Sequence, residues 1–210
     1  MTTRPSPTSP KPVIGILGGV GAGKSTVARE FVALGCRLVD ADAIGHELLR
    51  REDIRRQVLA RWGQAVAASD GQVDRKALGA AVFADPVELT ALNAILHPGI
   101  RREMEARIAQ AMADPSAAGA VVDAAVLLEA AWDDLCTDLV FVAVGDSQRA
   151  QRVQDQRGWD RAEWQRREKS QISLDKKAER CNYVIDNRSS GPRLHEQVRQ
   201  IFHRISVGKH

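Results

Sequence analysis

The chain has 210 residues and a formal net charge of +3, enough for one α/β domain with insertions or at most two small domains. That charge is too small to imply a nucleic-acid partner and suits an anionic small molecule equally well. The three cysteines, Cys36, Cys136 and Cys181, are too scattered for a zinc site or a disulfide framework, and no apolar run approaches the length needed to span a bilayer, so we expect a cytoplasmic protein with reduced thiols and no membrane partner.

Residues 1–12 are rich in Pro, Ser and Thr and lack an apolar core, which predicts a disordered tail rather than a secretory signal. Val13–Gly18 (VIGILG) is a short apolar run rich in β-branched residues and reads as a buried strand. A glycine-rich turn leads into a helix over Ser25–Leu34, with Gly35 as its stop. Arg37–Asp40 predicts a second strand, Ala43–Trp62 one amphipathic helix, and Gly63–Gln72 a loop. Asp85–Pro86 pairs an N-cap residue with a proline at the first helical position. That helix is expected to run through Ile108, kinked or interrupted at His97–Pro98. After a linker at Ala113–Gly119 come strands at Ala120–Asp123 and Leu139–Val144, an Arg-rich helical stretch at Ser147–Lys169, a fifth strand at Asn182–Asp186 and a closing helix at Pro192–Ile205. Strands alternating with helices predict a parallel, doubly wound sheet. The stretches between strands two and three and between strands four and five are longer than crossovers need, so each is read as an insertion.

Residues Gly18–Ser25 read GGVGAGKS and satisfy G-x-x-x-x-G-K-[ST], the P-loop. The spacing has a mechanical reason. Glycines let the backbone wrap a phosphate with its N–H groups inward, and the helix that follows adds its positive end. Gly21, Ala22, Gly23, Lys24, Ser25 and Thr26 are therefore the candidate phosphate-binding residues. Lys24 would neutralise the β- and γ-phosphates of ATP, and the Ser25 hydroxyl would bind Mg²⁺.

Other positions carry weaker signals. Asp40 and Asp42 follow the second strand, where ligands gather in open α/β sheets. A carboxylate there could accept a proton from an attacking hydroxyl, or one of the two could cap the next helix. Asp123 ends an apolar run (AVVD), the pattern of a strand-end carboxylate that holds Mg²⁺ directly or through water. Arg149, Arg152, Arg157, Arg161, Arg166 and Arg167 are interleaved with acids and read first as a solvated helix face, although one or two could close over a nucleotide. His97 could contact substrate or be structural, and Trp159 and Trp164 could pack or stack.

Taken together, GGVGAGKSTVA, RLVDADAIGHELL, LNAILHPGIRREM, VVDAAVLLEA and SQISLDKKAERCNYVIDN stand in the order and spacing of one family. Over nearly the whole chain after the tail, the sequence resembles dephospho-coenzyme A kinase. The resemblance implies a P-loop NTPase core, with a five-stranded parallel sheet flanked by helices, plus a helical substrate-binding insertion and a helical lid. Residues 13–45, 115–148 and 181–208 would form the core, 46–114 the CoA-binding insertion and 149–180 the lid. The implied activity is transfer of the γ-phosphoryl of ATP, with Mg²⁺, to the ribose 3′-hydroxyl of dephospho-CoA, the last step of coenzyme A synthesis, by a monomer or small homo-oligomer. By motif, Asp40 would be the base, Arg152 a lid arginine reaching the phosphates, His97 and Asp123 acceptor-side residues, and Asn187 a neighbour of the nucleotide base. Two features depart from the family pattern. A proline common after the strand-three aspartate is absent from Asp123–Glu129, and Gln156–Arg157 stand where the lid usually carries Arg-Asp. A kinase for another small acceptor is the alternative within the enzyme class; a GTPase switch would want an N-K-x-D motif, which the sequence lacks.

Overall fold

The computed structural model describes residues 10–188 and 191–208. The tail expectation falls on residues 1–9, which lie outside the described residues, and on its last three positions, of which Lys11 and Pro12 are held in place. Lys11 Nζ donates to the carbonyls of Met112 (3.1 Å) and Asp114 (2.5 Å), and the Pro12 carbonyl accepts from the Ala120 amide.

All five apolar runs form strands: β1 (Val13–Gly18), β2 (Cys36–Asp40), β3 (Gly119–Asp123), β4 (Asp138–Ala143) and β5 (Tyr183–Asp186). They make one parallel sheet in the order β2-β3-β1-β4-β5. The central strand β1 is buried at every position, as expected for a parallel strand covered on both faces. Helix α1 (Lys24–Ala33) and the C-terminal helix α9 (Pro192–Val207) cover one face. Leu194, Val198, Ile201 and Ile205 recur at helical spacing along α9 and join Val27, Phe31, Ile14, Ile16 and Val140 in a single core. Phe31 and Phe202 meet edge to face, with ring centroids 6.2 Å apart.

The remaining helices are α2 (Ala41–Leu48), α3 (Glu52–Trp62), α4 (Arg75–Ala84), α5 (Pro86–Ala113), α6 (Asp146–Arg157), α7 (Arg161–Lys169) and α8 (Leu174–Glu179). The single helix expected over Ala43–Trp62 is two, because Arg51 turns extended (φ −69°, ψ 137°) ahead of α3. Helix α4 was not foreseen; its signal is Asp74, whose carboxylate accepts from the amides of Lys76 and Ala77 as an N-cap. Helix α5 continues through Pro98 for 28 residues, although the proline cannot supply the usual amide to the Ala94 carbonyl. The Arg-rich stretch divides at Gly158, which takes the left-handed conformation (φ 67°) that ends α6.

The described residues form two compact units. Those up to Asp40 and from Arg107 onward make the α/β unit, and Ala41–Ala106 makes a helical unit. Inside the helical unit, Gly99 lies against Leu48 and Gly45 against Ile100, so α2 and α5 approach closely over Ile44, Leu48, Ile100 and Met104. Among the described residues, no helix is long and apolar enough to cross a membrane.

Candidate active site

The turn between β1 and α1 is shaped by residues that only glycine tolerates. Gly21 and Gly23 have φ of 83° and 85°, a region that costs other residues about 1 kcal/mol or more. Gly23 is also the position before α1, with no side-chain cap on the helix, so no capping side chain stands between the positive end of α1 and an anion. Lys24 Nζ donates to the carbonyls of Gly18 and Gly19 at 3.2 Å each, which folds the ammonium over the loop. Thr26 continues the helix, its amide bonded to the Gly23 carbonyl at 3.0 Å.

Sheet register brings the two carboxylates together. Asp40 at the end of β2 is the Cα partner of Asp123 at the end of β3, and Asp123 in turn pairs with Ile16 of β1. Asp123 accepts a hydrogen bond from the Ser25 hydroxyl and lies within the fields of Lys24 and Asp40. Burial pushes its carboxyl above the usual range; the Ser25 bond and the Lys24 ammonium oppose that shift, and the Asp40 charge adds to it. Lys24, Ser25, Asp40 and Asp123 thus converge at the carboxyl edge of the sheet, where open α/β sheets bind ligands.

On the other side of the loop, Arg152 of α6 donates to the carbonyls of Ala22 (3.3 Å) and Asn187 (2.8 Å), and the Asn187 amide donates to the Ala22 carbonyl at 2.8 Å. Asn187 is buried, and a Cβ on Gly23 would lie 2.5 Å from its Nδ2. Arg157 stacks over Trp159 at 4.9 Å, and Arg167 shares the same ring at 4.0 Å. His97 belongs to the helical unit and is half-buried; desolvation lowers its pKa from the ordinary value. That unit also holds a cavity of about 340 Å³ lined by His46, Leu49, Arg50, Gln72, Val73 and Arg75. Among the described residues, no group of three or more His, Cys, Asp or Glu side chains is placed to hold a metal ion.

The family model for dephospho-CoA kinase matches residues 12–192. The chain belongs to the dephospho-CoA kinase family. It is 41% identical to the dephospho-CoA kinase of Leifsonia xyli over 196 residues, covering 90% of this chain and 94% of that protein. It is 35% identical to that of Geobacter sulfurreducens over 191 residues, covering 90% and 96%. Among solved structures, TT1252 from Thermus thermophilus superposes with a TM-score of 0.78 at 28% identity, covering 94% of this chain and 98% of that one. Dephospho-CoA kinase from Campylobacter jejuni (TM-score 0.68, 20% identity, covering 94% and 98%) shares the fold.

Two buried charged side chains, one of them against the P-loop, escape the sequence pattern. Arg149 had been grouped with a solvated face, yet it is 2% exposed and bonded to Glu168 (2.6 Å), Asp146 (2.8 Å) and the Val20 carbonyl (3.3 Å). Lys177 of α8 is fully buried against Glu129 at 2.9 Å and Gln171 at 2.8 Å. The interleaving of Arg and Glu in the stretch was visible. Which pair turned inward was not, because helical spacing gives the faces but not what packs on them.

Proposed function

We propose that the protein transfers the γ-phosphoryl group of ATP to the ribose 3′-hydroxyl of dephospho-CoA, giving CoA and ADP, the last step of coenzyme A synthesis. The observation that carries the reading is the convergence of Lys24, Ser25, Asp40 and Asp123 at the P-loop in a member of the dephospho-CoA kinase family.

In this reading the amides of Gly21–Thr26 cradle the ATP phosphates, and the Lys24 ammonium leaves the Gly18 and Gly19 carbonyls to neutralise the β- and γ-oxygens. Asp40 takes the proton of the attacking hydroxyl and aligns it. Ser25 and Asp123 are adjacent oxygen donors of the kind Mg²⁺ prefers, and two protein oxygens leave its other positions to water and phosphate, as this ion requires. Bound there, Mg²⁺ would neutralise charge on the phosphates. Arg152 and Asn187, beside Ala22 and Gly23, are assigned to the nucleotide, with Arg152 turning from the Ala22 and Asn187 carbonyls to the phosphates. The segment 149–180 is read as a lid.

The helical unit, His97 included, is assigned to the acceptor. What supports this is its cavity lined by His46, Arg50 and Arg75, whose basic groups suit a diphosphate. The reading is tested by steady-state rates with Mg-ATP and a panel of dephospho-CoA, nucleosides, sugars and shikimate. A kcat/KM for dephospho-CoA at least a hundredfold above every other acceptor is expected. A preferred acceptor elsewhere in the panel would replace the assignment.

A further inference from the structure

The third residue of the P-loop has both of its main-chain groups occupied by side chains from the 149–180 segment. The Val20 amide donates to Glu168 Oε2 at 3.0 Å. The Val20 carbonyl accepts from Trp164 Nε1 at 3.2 Å and from Arg149 Nη1 at 3.3 Å. Glu168 and Trp164 lie on α7 and Arg149 on α6, so two helices meet on the main chain of one residue, holding the peptide units on either side of it. The arrangement is tied together behind the loop. Arg149 Nη1 is 2.6 Å from Glu168 Oε1, and its guanidinium lies 5.1 Å from the Trp164 ring centroid. The Val20 side chain packs with Val153 and Trp164 in a small apolar cluster of its own. The fit is close: a Cβ on Gly19 would fall 2.1 Å from Arg149 Nη1 and 3.0 Å from Glu168 Oε1, so a side chain there would displace the ion pair.

A carboxylate so near a phosphate-binding loop would oppose an anion if its charge stood alone. Its salt bridge to Arg149, which is 2% exposed and also paired with Asp146, offsets that charge while leaving Oε2 to accept from Val20. Charge-assisted hydrogen bonds are shorter and roughly twice as strong as neutral ones, so this clamp resists loop motion more than a turn of glycines could. We propose that Glu168, Arg149 and Trp164 are positioning residues for the phosphate-binding loop: they lock the main chain on both sides of Val20 so that the loop after it stays shaped as an anion nest. None of the three needs to touch the reacting atoms. The proposal rests on the nucleotide-binding reading of the loop, but not on the identity of the acceptor.

The test is ADP affinity, measured by calorimetry without acceptor on the full chain. Glu168→Ala removes the acceptor for the Val20 amide. Glu168→Gln keeps an oxygen there and loses only the ion pair. Loss of the acceptor for the Val20 amide together with the ion pair is expected to weaken ADP binding about tenfold or more in Glu168→Ala, with Glu168→Gln, which keeps a neutral acceptor, losing clearly less. The KM for ATP should rise with kcat at saturation within about threefold, a split that loss of fold alone would not give. Affinity of Glu168→Ala within threefold of the parent, or an equal loss in Glu168→Gln, overturns the proposal. Should Glu168→Ala not fold, Trp164→Phe, which deletes the indole donor and keeps the ring packing, decides on the same measurement: binding at least threefold weaker supports the clamp, and unchanged binding overturns it. Parent protein that binds ADP yet makes no CoA would sink the acceptor assignment and leave this test intact; parent protein that binds no ADP would sink the clamp with the loop.

Discussion

Replacing Asp40 by Asn separates chemistry from binding at this site. The side chain keeps its size and can still accept a hydrogen bond, but it can no longer take a proton at neutral pH. Asp40 stands at the end of β2, directly across from Asp123. Bonds from Asn187, Arg152, Glu168 and Lys24 hold the P-loop and stay in place in this variant, so the loop should survive the change. A positioned general base contributes about 10²–10⁴ in rate, equivalent to roughly 3–5 kcal/mol of barrier. We expect kcat to fall by about that factor, with the ATP dissociation constant within about threefold and the acceptor KM within about tenfold. The geometry adds a second readout. The Asp40 charge is one of the causes that raise the Asp123 pKa, so Asp40→Asn should lower it, which carbon-detected titration of Asp123 would show. A kcat within threefold of the parent removes Asp40 from the base role. Loss of ATP binding in proportion to turnover would mean that Asp40 holds the loop instead.

Three further outcomes follow from the same structure. Lys177→Met leaves Glu129, already with one oxygen buried and unpartnered among the described residues, without its cation; breaking such a pair costs about 3–5 kcal/mol, and the double variant Glu129→Gln/Lys177→Met should recover most of it in urea unfolding. Gly23→Ala puts a Cβ 2.5 Å from Asn187 Nδ2 at a φ of 85°, so ATP binding measured by calorimetry should weaken at least about a hundredfold, and tight binding by that variant would contradict the loop's role. Burial lowers the His97 pKa below its unfolded value of about 6.5; stability is then complete above the unfolded value and is lost as pH falls through the depressed folded one. Urea midpoints between pH 7.5 and 5 should decline for the parent and less steeply for His97→Gln, and equal slopes would refute the assignment of that decline to His97.

The sheet and the phosphate loop were legible because local signals agree there. VIGILG is apolar throughout, GGVGAGKS needs its glycines at fixed places, and Asp123 closes an apolar run, so strand, turn and carboxylate each announce themselves. Asp40 and Asp123 could be nominated separately, but their pairing depends on β2 and β3 lying side by side, a long-range register that no local pattern encodes. The helical regions were harder. The break at Leu49–Arg51 has no glycine or proline to mark it, α4 follows an Asp74 cap that was passed over, and α8 is six residues long. At Pro98 the sequence allowed a kink or an interruption, and the structure excludes the interruption, since α5 runs on through it. Arg149 and Lys177 illustrate the deepest limit: a charged residue in a charged stretch reads as solvated, and only the packing of α6, α7 and α8 reveals that these two are buried and paired.

The central claim is tested most directly by mass analysis of the products formed from Mg-ATP and dephospho-CoA. CoA and ADP are expected in equal amounts, with the new phosphate on the ribose 3′-oxygen. Hydrolysis of ATP without CoA, or phosphate found at another position, would contradict that claim.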